Sequence, residues 1–338
     1  MVEPEIPAEV LAAARARADA RARRDWATAD RLRAEIEAAG YRVVDEGTRF
    51  ELTPAHPPDV VDDGLVRYGS SVSVPSRLDE PPTGVATIVM VATDDTVDVV
   101  KAAGSMAEHA PDGTQVVIVA VAPSREQEAA LRRVDAVDSG APGVQTEVVF
   151  TSAPLGHAAA LNAGIRRAAA PVVVLLDAGV EATGDFVTPL VDALADPSVG
   201  VAGGSGLTSA DLRRFDAAPA GDVDAVALDC LAFRRDDARV RGPLDEAFTL
   251  PRHLDVWWSL VLRDEGEGAT ARRAVAMDLP LVRHEHRGQM PMDRAERERL
   301  SKRSFYRVIR RFGHRRDLLV RPGPADWRAA RAGGREGR

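Results

Sequence analysis

The sequence predicts an α/β protein: a mostly parallel, doubly wound sheet flanked by helices, preceded by a small helical hairpin unit. Three observations carry that prediction. From Val85 onward, apolar runs of strand length alternate with stretches of helical period. Residues before Thr53 follow a separate, Ala/Arg-rich helical pattern, and a stretch rich in Pro, Asp, Ser and Gly divides the two zones.

In chain order, "EVLAAARARADARARRD" is strongly helix-favouring. "WATADRLRAEIEAAG" follows, with Trp26, Ala29, Leu32, Arg33 and Ile36 at helical spacing and Gly40 as the stop. "YRVVDEGTRFEL" reads as a hairpin turning at Glu46-Gly47. Thr53 to Gly84 has too few apolar residues for a core of its own and reads as a linker containing a domain boundary. "VATIVMVA" and "TQVVIVAVA" are continuous apolar runs, as strands buried on both faces require. Between and after them lie helical stretches, "DTVDVVKAAGSMAEHA" and "SREQEAALRRVDA", the second with Ser124 as its cap. "TEVVF", "GHAAALNAGIRRAAA" and "PVVVLLD" continue the alternation as strand, helix and strand. In such sheets ligands bind outside the carboxyl ends of the strands, where Asp94, Asp95 and Asp177 fall. Residues 181–319 show no single period and read as mixed structure; the polar tail past residue 320 reads as frayed.

Composition narrows the function classes. The chain has 338 residues, 45% hydrophobic and 28% charged, with a formal net charge of -8. That balance argues against general attraction to nucleic acid or anionic membrane and leaves only local basic patches for such partners. A single cysteine, Cys230, excludes a disulfide framework and a cysteine-based zinc site, and reads as a small core residue. "MVEPEIPAEV" lacks the pattern of a signal peptide and no apolar stretch approaches a membrane span, so a cytoplasmic protein is expected. "RLSKRSFYRVIRRFGHRRDLL" is basic, with Phe305, Val308, Ile309 and Phe312 on one helical stripe. Two readings stay open for residues 301–319: weak peripheral contact with an anionic membrane or polyanionic acceptor, or a helix packing its apolar stripe while arginines face water.

The run "GHAAALNAGIRRAAAPVVVLLDAGV" resembles inverting family 2 glycosyltransferases of the GT-A, Rossmann-like fold. Gly156, Asn162 and Gly164 match the family's helix, and Asp177 matches the first acid of its Asp-x-Asp pair. "GPLDEAF" looks like the acceptor-side stretch, "LDVWWSLVLRDEG" lies where the family carries its base motif, and "LVRHEHRG" lies where it often carries a metal-binding histidine. The resemblance covers roughly residues 85–319. It implies transfer of a sugar from a nucleotide-sugar donor to an acceptor hydroxyl, assisted by Mg2+ or Mn2+. It makes Asp255 the catalytic base and Gly156, Asn162, Gly164, Asp177 and Asp94 the donor contacts, with Asp177 and either His284 or His286 as metal ligands. The chemistry asks for these types: a cation held by oxygen ligands offsets charge on the departing diphosphate, and a carboxylate takes the acceptor's proton.

The sequence departs from that pattern at three places. Gly179 stands where the second metal acid is expected, "VAVAPSREQ" has no acid before Glu126, and Trp257 occupies the second acid position of the base motif. A catalytically degenerate binding module is therefore the alternative. The bland readings are a solvated strand-end acid for Asp177, a helix cap for Asp255, surface pairing with Glu285 for the histidines, and a turn lining a cleft for "GVAGGSGLTS".

The N-terminal stretch "RARADARARRDWATADRLRAEIEAAGYRVVDEGTRFEL" is similar to the C-terminal helical segment of cysteinyl-tRNA synthetases. None of the synthetase's catalytic signatures or zinc-site cysteines occur here, so aminoacylation is excluded. The resemblance leaves an RNA- or protein-docking appendage. Arg15, Arg17, Arg21, Arg23, Arg24, Arg31 and Arg33 are the candidate RNA contacts, but Asp19, Asp25, Asp30, Glu35 and Glu37 dilute them and make tRNA the weaker reading. The expected organisation is a helical unit at 1–52, a linker at 53–84, a glycosyltransferase-like domain at 85–319 and a tail at 320–338.

Overall fold

The structure is a computed structural model and describes residues 6–46, 49–92, 96–135, 143–284 and 292–321. At its N-terminus, helices α1 (Ala8–Ala22) and α2 (Trp26–Ala38) pack together and lead into an antiparallel pair, β1 (Tyr41–Glu46) and β2 (Arg49–Pro54). Asp25 caps α2 by accepting from the Thr28 amide at 3.1 Å, and Gly40 leaves the helix at φ +82°. Val10, Ala14, Ile36 and Val43 form the small core. Beside it the buried Arg17 makes a two-pronged ion pair with Asp45 at 2.8 and 3.0 Å, which holds the hairpin against α1. Trp26 departs from the expected apolar stripe: at the first position of α2 it is 58% exposed, and burial begins one turn later at Ala29.

The stretch expected as a linker contributes to the main sheet. β3 (Val60–Asp62) and β4 (Leu65–Tyr68) form a hairpin across Asp63-Gly64, both at positive φ, as a tight turn between twisted strands requires. β4 then adds in parallel to the sheet edge. Few apolar side chains are needed because the backbone of this stretch is bonded from outside. Arg166 donates to Val74 O at 2.6 Å, Arg167 to Pro75 O at 2.9 Å and Arg235 to Leu78 O at 3.0 Å.

β5 (Ala86–Val91), α3 (Thr96–His109), β6 (Gln115–Ala120), α4 (Arg125–Asp135), β7 (Gln145–Thr151), α5 (His157–Arg166) and β8 (Val172–Leu176) follow the predicted alternation. Ser124 caps α4 as expected, accepting from Gln127 N at 3.2 Å. Beyond them come β9 (Val180–Ala182), α6 (Val187–Ala195), β10 (Val199–Gly203), β11 (Gly206–Thr208), β12 (Asp216–Ala218), β13 (Gly221–Val223) and β14 (Ala225–Val226). β15 (Cys230–Arg234), α7 (Arg235–Arg241), α8 (Leu254–Arg263), β16 (Arg273–Ala276), β17 (Leu281–Arg283) and α9 (Arg294–Phe312) complete the chain.

The central sheet has ten strands in the order β13-β16-β10-β15-β8-β5-β6-β7-β4-β3. β4 to β8 are mutually parallel, whereas β15 runs antiparallel between β8 and β10. Side chains alternate along β5, with Ile88 and Met90 in the core on one face and Val89 in the core on the other. The chain steps outward from β5 through β6 to β7 and then returns to place β8 on the other side of β5. That reversal opens the crevice at the carboxyl ends of β5 and β8. Among the described residues, no helix is long and apolar enough to cross a membrane.

Candidate functional site

Asp177 directly follows β8 at this crevice. Its Oδ1 accepts from Gly179 N at 2.8 Å, which folds the chain sharply back toward β9. Because β15 is antiparallel and pairs Cys230 with Leu176, the residue ahead of Cys230 lies opposite Asp177. That residue is Asp229, whose carbonyl accepts from Asp177 N at 3.0 Å. Its carboxylate accepts from Cys230 N at 2.8 Å and from the Ser205 hydroxyl at 2.6 Å, with the Arg283 guanidinium 3.9 Å away. Two aspartates thus occupy neighbouring positions across the β8–β15 pair at the crevice. Sequence reading missed Asp229; its only signal is an acid directly before the buried run "CLAF".

Asp255 enters from α8. His253 precedes that helix in the left-handed region at φ 68°, a strained conformation for a residue with a side chain, and Asp255 lies in the first turn rather than at the cap. Its Oδ1 accepts from Val256 N at 2.8 Å. Burial, reinforced by the charge of Asp229 and opposed by that hydrogen bond, pushes the carboxyl up to about 6. His157, unforeseen from sequence, begins α5 close enough to Asp177 to feel its charge. Burial outweighs that charge and lowers the imidazole to about 4, so it is neutral at pH 7. A cleft of about 210 Å3 opens beside Asp229, lined also by Ser205, Asp278 and Arg283 among aliphatic side chains.

Several expected site residues have partners within the fold. At Gly156 a Cβ would meet Thr249 Cα at 3.0 Å, and the first amides of α5 are bonded there, His157 N to Thr249 O at 3.0 Å and Ala158 N to Phe248 O at 3.1 Å. Asn162 is buried and clamps the "GPLDEAF" loop: its amide donates to Leu244 O and Glu246 Oε1, both at 2.9 Å, and its oxygen accepts from Leu244 N at 2.9 Å. Gly164 faces the sheet, where a Cβ would lie 2.3 Å from Val89 Cγ1, so it serves close helix–sheet packing. Trp257 is a core residue, packed on Phe248 and Phe312 at ring distances of 5.2 and 5.5 Å.

His284 lies next to Gly179, bonding its carbonyl at 2.8 Å, but its half-exposed imidazole sits 3.3 Å from Glu181 Oε1. Glu181 lies one strand across from it, on β9, whereas the partner expected from sequence, Glu285, falls outside the described residues. Asp94, Glu285 and His286 lie outside the described residues. Among the described residues, no three His, Cys, Asp or Glu side chains converge as a complete metal cage. The glycine-rich "GVAGGSGLTS", expected as a turn, is mostly strand: it runs from β10 into β11, and only Gly204 and Ser205 between them form the bend that lines the cleft; a Cβ at Gly203 would lie 2.0 Å from Cys230 O.

Comparison with known proteins accords with this architecture. Residues 130–219 match the family model described as Glycosyl transferase family 2, and residues 3–51 match that of the cysteinyl-tRNA ligase anticodon binding domain. A cysteine–tRNA ligase of Opitutus terrae is 49% identical over 51 residues, which are 15% of this chain and 11% of that enzyme. The crystal structure of GalNAc-T7 with UDP, GalNAc and Mn2+ superposes with a TM-score of 0.53 at 12% identity, covering 74% of this chain and 53% of that one. The mannosyltransferase PcManGT from Pyrobaculum calidifontis, in complex with GDP-Man and Mn2+, gives a TM-score of 0.44 at 20% identity over 61% of this chain and 57% of that one. The chain spans about half the length of these two structures and a small fraction of the ligase. Its central domain has the GT-A-type fold, with a family 2 glycosyltransferase match at its centre and a ligase-like segment at its N-terminus.

Proposed function

We propose that this chain is an inverting glycosyltransferase that moves a sugar from a nucleotide-sugar donor to an acceptor hydroxyl. The observation that carries the reading is Asp229 at the carboxyl edge of the sheet, linked to Asp177 through its carbonyl and to Asp255 through its charge, with Asp255 raised to about 6. A carboxylate of that basicity is still ionised at pH 7 and accepts a proton better than an ordinary aspartate. Asp255 is the base in this reading; Asp229, hydrogen-bonded by Ser205, is a positioning residue that holds the charge balance around Asp177.

Asp177 and neighbouring oxygen donors suit a hard divalent cation, Mg2+ or Mn2+, with the donor diphosphate and water completing its shell. Bound there, the cation would offset charge on the leaving diphosphate. His284 would join only by leaving Glu181. We also propose a division of the chain near residue 55, with the β3–β4 hairpin assigned to the transferase-like domain, and a cytoplasmic location.

A second reading, a degenerate binding module, is favoured by one observation: Asn162, which the resemblance assigns to the donor, is bonded to Leu244 and Glu246, and the first amides of α5 are bonded to Thr249 and Phe248. RNA docking by the N-terminal unit has less support. Arg17 and Arg21 are engaged by Asp45, Arg31 by Glu35 and Arg33 by Glu37.

The deciding experiment is thermal stabilisation by a panel of nucleoside diphosphates and nucleotide-sugars, with and without Mn2+, on wild type and Asp177→Ala. A metal-dependent shift with one nucleotide, absent in the variant, is the expected result. No shift with any of them would leave the binding-module reading in its place.

A further inference from the structure

The outer face of α9 carries a charge pattern that neither fold nor site requires. Ser304, Val308 and Phe312 are buried against the domain. On the opposite side, Arg299, Lys302, Arg303, Tyr306 and Arg310 fall at spacings of three, four, seven and eleven from the first, which is one helical face. They span about 16 Å of helix axis at 1.5 Å per residue. Tyr306, at the middle of the row, is 54% exposed. Most arginines elsewhere on this helix are engaged: Arg294 with Glu298, Arg307 with Asp245, and Arg311 over the Trp257 ring at 5.0 Å. Arg299 reaches Glu296 at 3.5 Å, but Lys302, Arg303 and Arg310 have no acidic partner among the described residues.

We propose that this face docks on an anionic lipid surface. A straight row of cations on one convex helix meets a plane along its whole length, whereas a nucleic-acid strand is usually followed by a groove. An exposed tyrosine in the middle of the row suits the headgroup layer, where one end of its ring system is apolar and the hydroxyl is wet. Because the chain as a whole is acidic, attraction to such a surface needs a local basic patch, and this row supplies one. Docking here bears on the candidate site through α9 itself, whose Phe312 and Arg311 brace Trp257 on the Asp255 helix. The surface proposal stands whether or not the protein transfers a sugar.

The test is co-sedimentation of the full chain with vesicles of equimolar phosphatidylglycerol and phosphatidylcholine, and with phosphatidylcholine alone. Wild type should bind the anionic vesicles at low salt, release at high salt and ignore the neutral ones. Each cation near such a surface contributes roughly a five-fold gain in partitioning, so Lys302→Gln, Arg303→Gln and Arg310→Gln together should weaken binding on the order of 100-fold. These sites are exposed and glutamine is a good helix former, so circular dichroism and melting temperature should match wild type. Tyr306→Ser should cause a smaller loss. Equal binding to both vesicle types, or binding unchanged in the triple variant, overturns the proposal. So does failure to bind vesicles while a single-stranded oligonucleotide binds through the same three cations, which would assign the face to nucleic acid.

Discussion

The two halves of the α/β domain are held together by different interactions. From β5 to β8 the strands are buried on both faces, and helices cover them through aliphatic contact, as where Val89 meets α5 at Gly164. From β10 to α9 the chain also buries apolar side chains, among them Phe233, Trp257 and Trp258, but adds a set of arginines bonded to backbone carbonyls. Arg234 donates to Leu194 O and Val199 O, both at 2.7 Å; Arg241 to Val261 O at 2.9 Å and Asp264 O at 2.6 Å; Arg263 to Asp224 O at 2.6 Å and Arg272 O at 2.8 Å. Apolar burial is nearly indifferent to direction, but a guanidinium–carbonyl bond fixes one geometry and strands buried acceptors when it is lost. The second half also supplies Asp229, Asp255 and Arg283. A scaffold that tolerates repacking therefore carries one side of the site, and a directional framework sets the other.

The largest expected effect is on turnover. Asp255→Asn should lower transfer by about 100- to 10,000-fold, the usual worth of a positioned base, with donor-induced thermal shifts preserved. If transfer survives at wild-type rate, Asp255 is not the base. In wild type the acidic limb of the rate profile should fall with a midpoint near pH 6. The same variant should be more stable than wild type. A folded value of about 6 above the unfolded one penalises the ionised carboxylate in the fold. The penalty is absent below about pH 4, grows through pH 6 and is constant above it, amounting to about 1–3 kcal/mol. Denaturant melts of both proteins across that window check the sign.

Arg263→Ala and Val89→Ala test the contrast between the halves directly. Arg263 is buried, and its loss leaves Asp224 O and Arg272 O without a donor, a cost of about 3 kcal/mol. Val89→Ala should cost about 2 kcal/mol as a small cavity. Both lower stability, but only Arg263→Ala should also weaken ligand binding, because it loosens α8 against β14 and β16. Equal binding by the two variants would remove the distinction. Gly164→Ala belongs with Val89: a Cβ placed 2.3 Å from Val89 Cγ1 forces a shift costing about 1–3 kcal/mol.

These halves also differed in how far sequence could be read. "VATIVMVA", "TQVVIVAVA" and "PVVVLLD" announce strands because burial on both faces makes each one a continuous apolar run. Most strands after β8 are only two to five residues long, too short for any local period. Asp177 was legible because it ends a recognisable parallel strand. Asp229 was not, since β15 runs the other way and its first residue, not its last, lies at the crevice. Asn162 and Gly164 show the converse: both match a motif, yet they hold a loop and a helix in place, and a pattern of letters does not separate packing from contact with a ligand. Residues 53–84 read as a linker for a third reason: their fixings are arginines far along the chain, which no local pattern reveals.

The smallest effect concerns Ser205. Its hydroxyl gives Asp229 a 2.6 Å hydrogen bond at the mouth of the cleft, and Arg283 stands 3.9 Å from the same oxygen. Ser205→Ala should cost only about 1 kcal/mol of stability, since the carboxylate keeps the Cys230 amide and is partly open to water. Its informative readout is the midpoint of the acidic limb. With one donor gone, the Asp229 charge is less well screened from Asp255, whose value that charge already helps to raise. The limb should therefore move to slightly higher pH in Ser205→Ala and back toward lower pH in Asp229→Asn. Opposite shifts of this kind tie Asp229 to Asp255 electrostatically. Shifts in the same direction would show that the two variants act through altered packing instead.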